Sequence, residues 1–221
     1  MSDPARPDPA MQLLRRPLRD TLLRLPQVVA GLVTFGIGIS MLLVAELGNA
    51  PWDVLHQGLA DVLGLSIGGV IIGVGLLLVL AFVPLREPVG VGTLLNAVLV
   101  GLTANLVLAQ VAVPDELWVR VALMLAAPAV VGLGSGLYIG SGLGSGPRDG
   151  LMTGIARRGF ATWKVRTSIE ASVLVGGVLL GGRAGVGTLW FVLAVGPCVH
   201  WFLERFGGLG ATALPVPVER A

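Results

Sequence analysis

Two aspartates stand in the same chemical frame at two places in the chain. Asp53 lies within Gly48-Asn-Ala-Pro-Trp-Asp-Val-Leu55, and Asp149 lies within Gly144-Ser-Gly-Pro-Arg-Asp-Gly-Leu151, ninety-six residues later. Proline suits the first position of a helix, where its missing N–H has no intrahelical partner to lose. With Pro51 and Pro147 there, Asp53 and Asp149 fall on the third helical position. A carboxylate at that point can accept from unpaired backbone N–H groups and meet the positive end of the helix. Two kinds of chemistry fit. Each Asp terminates a short helix and does nothing else, or its charge holds a cationic group or a proton in a cavity. A helix end carries about +0.5 against −1 for the carboxylate, so each motif is net negative. A cationic, zwitterionic or neutral ligand fits such a pair better than a simple anion, unless Arg148 compensates in the second motif.

Other polar side chains fall within apolar runs. Asn105 and His200 correspond at an offset of ninety-five residues. Interhelical hydrogen bonding is the ordinary use of both residue types in membrane bundles, and an imidazole also titrates near neutral pH. Glu170 stands one helical turn after Arg166, which favours an ion pair on one helix face over a proton relay. His56, Gln57 and Asp61 are expected to face water after the first motif, and Glu46 is expected at an interface. The candidate ligand-binding set is therefore Asp53, Asp149, Pro51, Pro147, Asn105, His200, Glu170 and Arg148. No nucleotide-binding glycine loop, zincin helix or Cys-x-x-Cys pair is present. With one cysteine, Cys198, neither an intramolecular disulfide nor a thiolate metal cage is expected. No metal, cofactor or catalytic residue is expected, nor nucleic acid as a partner, and the chain does not read as an enzyme.

The two motifs belong to a wider duplication. Gly36, Gly38 and Leu47 correspond to Gly132, Gly134 and Leu143, and Gly58 and Ala60 to Gly154 and Ala156. Gly90-Val-Gly-Thr-Leu94 recurs as Gly185-Val-Gly-Thr-Leu189, with one residue lost in between. Runs this long, in order and in register, imply one unit copied.

The elements that must position these residues are apolar. Fifty-four per cent of the 221 residues are hydrophobic and only 13% are charged; the mean hydropathy is +0.86, far above a soluble domain. Six spans are expected, at 26–47, 67–85, 91–112, 119–141, 165–182 and 186–203, with the motif segments 53–64 and 149–160 too short to cross. The first run, about 33 Å at 1.5 Å per residue, exceeds a signal-peptide core and reads as a retained helix. Three spans per copy force the copies into opposite orientations. With the N-terminus inside, thirteen Lys and Arg fall on inner segments and two, Arg120 and Arg183, on outer ones, which is the bias expected of cytoplasmic loops. The expected fold is all-α: a six-span, 3+3 inverted-topology repeat with two short motif helices. A basic arm (1–25) precedes the two three-helix units (26–112 and 113–205), and a Gly- and Pro-rich tail (206–221) follows. Repeats with broken helices are a recurring transporter plan.

The motifs at 48–59, 90–94 and 144–152 resemble those of the YczE-type bacterial integral membrane proteins, the YczE/YyaS/YitT group, over roughly residues 26 to 206. The resemblance implies a small multi-pass protein of the bacterial cytoplasmic membrane, without the C-terminal soluble domain of the longer YitT-like members. It implies no particular substrate. From the residues, the leading expectation is a small secondary transporter of a cationic, zwitterionic or neutral small molecule. The alternative is a membrane scaffold or accessory factor that binds a partner protein or lipid. The lipid bilayer is a partner in either case, and both termini are expected in the cytoplasm.

Overall fold

The computed structural model describes residues 18–206. The basic arm up to residue 17 and the tail from residue 207 lie outside the described residues. Eight helices and no strand are present among them: α1 (Leu18–Ala45), α2 (Pro51–Leu63), α3 (Ile67–Leu85), α4 (Val91–Gln110), α5 (Leu117–Gly140), α6 (Pro147–Ala156), α7 (Thr162–Leu179) and α8 (Val186–Phe206). The chain is all-α, and α2 and α6 are the two short motif helices. The first long helix begins at Leu18, ahead of the expected Pro26. Pro26 sits inside α1, so residues 18–25 continue the first span. Five helices (α1, α3, α4, α5 and α8) are long and apolar enough to cross a bilayer. The expected sixth, α7, falls short of that apolarity because Lys164, Arg166 and Glu170 sit in its first half.

α1 and α5 form the central pair and run antiparallel, as contacts at both ends show. Arg24 Nη1 donates to Ser141 O at 2.8 Å, and Arg120 Nε donates to Ala45 O at 2.8 Å. Each arginine thus satisfies a carbonyl at the C-terminal end of the facing helix, where such groups lack an intrahelical donor. The two arginines, like the two acceptors, are ninety-six residues apart. Between these ends the backbones touch through glycine: a Cβ on Gly134 would stand 2.5 Å from Phe35 N, and one on Gly38 2.7 Å from Val131. Small residues replace the hydrophobic drive that lipid cannot supply.

Matched contacts continue outward. Gly36 lies against Thr103 of α4 as Gly132 lies against Cys198 of α8, with an added Cβ 2.7 and 2.8 Å from the facing Cβ. Gly58 of α2 meets Leu180, and Gly154 of α6 meets Leu85. The repeated Gly-Val-Gly-Thr-Leu segment has a mechanical explanation. Gly92 N donates to Leu143 O (2.9 Å) and Gly187 N to Leu47 O (2.8 Å), so each copy's segment docks on the loop before the other copy's motif helix. Thr93 and Thr188 accept from the N–H of Gly90 and Gly185 at 3.2 and 3.1 Å, which closes the helix starts. Gly48 and Gly144, at φ 118° and 132°, turn the chain into the motif helices in a region side chains rarely enter.

Candidate functional site at the motif helices

Pro51 and Pro147 open α2 and α6 as the spacing predicts. The two aspartates then part company. Asp53 is fully buried. Its carboxylate makes no bond to a helix N–H among the described residues; Oδ1 instead receives Arg148 Nη2 of the other motif at 3.3 Å and faces His56 Nδ1 at 3.1 Å. Asp53 is thus neither a simple cap nor open to an outer face. Arg148 retains 23% of its side-chain exposure, lies 5.3 Å from the Trp52 ring centre, and comes within 3.5 Å of His56 Nδ1. The sequence marks Arg148 as the counter-charge of its own motif, but in the fold it crosses to the other.

Asp149 is exposed and accepts a hydrogen bond from Tyr138 Oη on α5 at 3.0 Å through Oδ2. The first motif is therefore closed around an ion pair, whereas the second keeps an exposed carboxylate steadied by a phenol. His56, expected in water, is only 1% exposed; its ring lies against Asp53 and Arg148. Gln57 Oε1 accepts from Asn49 Nδ2 (2.8 Å) and from Arg183 N (2.9 Å), which ties the motif loop to the turn between α7 and α8.

Four buried polar atoms in this one stretch have no hydrogen-bond partner among the described residues: Asn49 Oδ1, Trp52 Nε1, Asp53 Oδ2 and His56 Nε2. Buried polar groups are nearly always paired with protein or ordered water, so such a cluster marks a place built for polar contacts. It offers an acceptor amide oxygen, a carboxylate oxygen, an indole donor, and an imidazole nitrogen whose role follows the tautomer. The opposite charges of Asp53 and Arg148 balance. Among the described residues no group of three or more His, Cys, Asp or Glu converges as a metal site would require.

The remaining predicted residues lie apart from this centre. Asn105 joins helices: Oδ1 accepts from Gly68 N at 3.0 Å and Nδ2 donates to Ser66 Oγ at 3.1 Å, which secures the start of α3 against α4. His200 is exposed, 3.4 Å from Glu204 on its own helix, so the corresponding positions do different work. The second copy carries Trp163 and Lys164 where the first has Gly68, whose missing Cβ lets α3 touch the Gly101 carbonyl. Glu170 accepts from Arg166 Nε at 2.9 Å, the intrahelical pair that the spacing favours. Sequence reasoning missed Asn49, Trp52, His56 and Tyr138 as site residues. Asp53 and His56, three apart on a helix, share a face, and that was a readable signal. Tyr138 had none, because its partner lies beyond a turn.

A family profile described as a family of unknown function (DUF6198) matches residues 22–204. The chain belongs to this family. Among curated relatives, an uncharacterized Haemophilus influenzae protein is 38% identical over 76% of this chain and 78% of its own length. The uncharacterized membrane protein YczE of Bacillus subtilis is 31% identical over 85% of this chain and 88% of its own length. The Bacillus subtilis protein YyaS is 29% identical over 78% and 89%, respectively. No solved structure matches. The resemblance read from the motifs therefore holds over most of the family member, and the chain is a membrane protein.

Proposed function

We propose that this family member is a 3+3 inverted-topology repeat that works as a secondary transporter for a small zwitterionic or neutral polar molecule. In this reading α7 is the sixth crossing and both termini lie in the cytoplasm of a bacterial cell. The matched pairs of contacts support the repeat, since each is regenerated when the two copies exchange places: Arg24 with Ser141 and Arg120 with Ala45, Gly92 with Leu143 and Gly187 with Leu47. α7 spans about 27 Å at 1.5 Å per residue, and its Arg166–Glu170 pair lowers the cost of its charges. Transporters of this plan bind at the repeat interface, between the ends of broken helices.

The observation that carries the transport reading is the cluster of four unpartnered polar atoms around the Asp53–Arg148 pair, which joins the two motif helices. A buried pair of opposite charges suits a zwitterion, whose ammonium would take Asp53 and whose carboxylate would take Arg148. A simple anion would leave Asp53 buried without its partner, an expensive exchange. Exposed Asp149 keeps the other motif hospitable to cations.

The test is thermal unfolding of the purified protein against a panel of amino acids, betaines, polyamines, sugars and simple anions. Zwitterions are expected to raise the midpoint. Trp52→Phe, which keeps an aromatic ring but removes the indole N–H, should weaken that rise, and Asp53→Asn should abolish it. Protection by simple anions alone, or by no class at all, would overturn the reading.

A further inference from the structure

A second feature lies outside the motif centre. Between the C-terminal part of α6 and the first half of α7 runs a groove of about 230 Å³, lined by Ile155, Phe160, Lys164, Val165, Ser168 and Ile169. Its floor is apolar and continuous with the cluster of Trp52, Met152 and Val165 that backs the first motif. Its polar residues, Lys164 and Ser168, stand four apart and so share one face of α7. Phe160 and Trp163, about the rim, are 63% and 60% exposed.

Of the four cations in residues 155–169, which bound the groove, all but one are committed. Arg157 pairs with Glu87 at 3.0 Å, Arg158 donates to Pro84 O at 2.5 Å, and Arg166 pairs with Glu170 at 2.9 Å. Lys164 is exposed and, among the described residues, makes no ion pair; its ammonium rests 5.5 Å from the Trp163 ring centre. An apolar trough with a lone cation at its lip suits an amphiphile whose anionic head follows directly on a hydrocarbon chain. The exposed Trp163 indole beside it is of the kind that favours the headgroup level of a bilayer.

We infer that this groove is a binding site for an anionic phospholipid, with part of one acyl chain against Val165 and Ile169 and the phosphate on Lys164. Ser168 adds a hydroxyl donor to the ester or phosphate oxygens. A zwitterionic lipid carries its own cation and gains less from the ammonium, so the site discriminates by charge. Basic sites between membrane helices hold anionic headgroups elsewhere for the same reason. The site does not depend on the transport reading.

The experiment uses the full chain in mixed micelles doped with phosphatidylglycerol or with phosphatidylcholine. Bound lipid is counted by native mass spectrometry and the unfolding midpoint is followed. Phosphatidylglycerol should bind the wild type preferentially and raise its midpoint. Lys164→Gln, at an exposed position, should fold normally and bind phosphatidylglycerol about fivefold more weakly, the loss of one surface cation. Ser168→Phe, which fills the trough while leaving Lys164, should lose the bound lipid as well. Equal retention of the two lipids by the wild type would overturn the inference. So would undiminished phosphatidylglycerol binding by both variants, or equal protection by inorganic phosphate, which would point to a free anion.

Discussion

The two motif helices begin alike and end in different surroundings. Both follow a left-handed glycine and open on proline, and both carry aspartate at the third helical position. Around α2 the aspartate is sealed beside His56 and bridged by Arg148; around α6 it stands exposed under Tyr138. A contrast in packing accompanies this. Where the first copy has Val54, the second has Gly150, and Phe82 of α3 presses into the space that glycine leaves. Where the first copy has Phe82, the second has Gly177, and the backbone of Val54 and Leu55 lies directly on it. Bulk lost on one helix is restored on its neighbour, and the restoration runs in opposite senses in the two copies. The same backbone frame is thereby held at different closeness to the neighbouring helix, and only in the first copy is the aspartate buried. The frame is shared, and the neighbours it meets separate the chemistry.

That contrast is broken most severely at Arg148. Replacing it with alanine leaves Asp53 a buried carboxylate with only the His56 ring beside it, a loss of about 3 kcal/mol, the lower end for a broken buried pair. Asp149→Asn, by contrast, keeps an acceptor for Tyr138 at an exposed position and should stay within about 0.5 kcal/mol. Denaturant unfolding in micelles measures both. Equal costs for the two would show that the motifs are energetically alike and that the ion pair contributes nothing particular to the first.

The exchange of bulk gives the next effect. Gly150→Ala drives a methyl group into the Phe82 ring, and overpacking of this kind costs about 1–3 kcal/mol. Adding Phe82→Leu should recover much of the loss, because the obstacle is a side chain. The matching change at Gly177 meets the backbone of Val54 and Leu55 and should find no such rescue among side-chain truncations. If Phe82→Leu leaves the Gly150→Ala midpoint unmoved, the volume argument fails.

The smallest effect separates the corresponding residues of α4 and α8. Asn105→Ala removes two hydrogen bonds that hold α3 to α4 and should cost about 1–2 kcal/mol. His200→Ala, exposed and paired only within its own turn, should change stability by less than about 0.5 kcal/mol. Hydrogen exchange at the start of α3 sharpens the point: Gly68 and Gly69 should lose protection in the first variant and keep it in the second. Matching costs would return the two positions to equivalence.

By itself the sequence determined that this is a helical membrane protein with two short proline-led helices, each set behind the same recurring Gly-x-x-Pro-x-Asp frame. Those features are local or periodic. Apolar run length, and proline and glycine at helix starts, act through bilayer thickness and backbone geometry, which a sequence displays directly. The tertiary structure alone decided which aspartate is buried and by whom it is paired. Arg148 reaches Asp53 from ninety-five residues away, and Tyr138 reaches Asp149 around a turn. The spacing of α3 and α4 likewise hung on a glycine whose corresponding position is held by Trp163 or Lys164. Side-chain burial and ion pairing depend on what another helix brings to the same point. The expected sixth span, α7, meets a related limit: within a segment, apolarity is summed residue by residue, whereas the cost of a charge depends on a partner that the sum does not see.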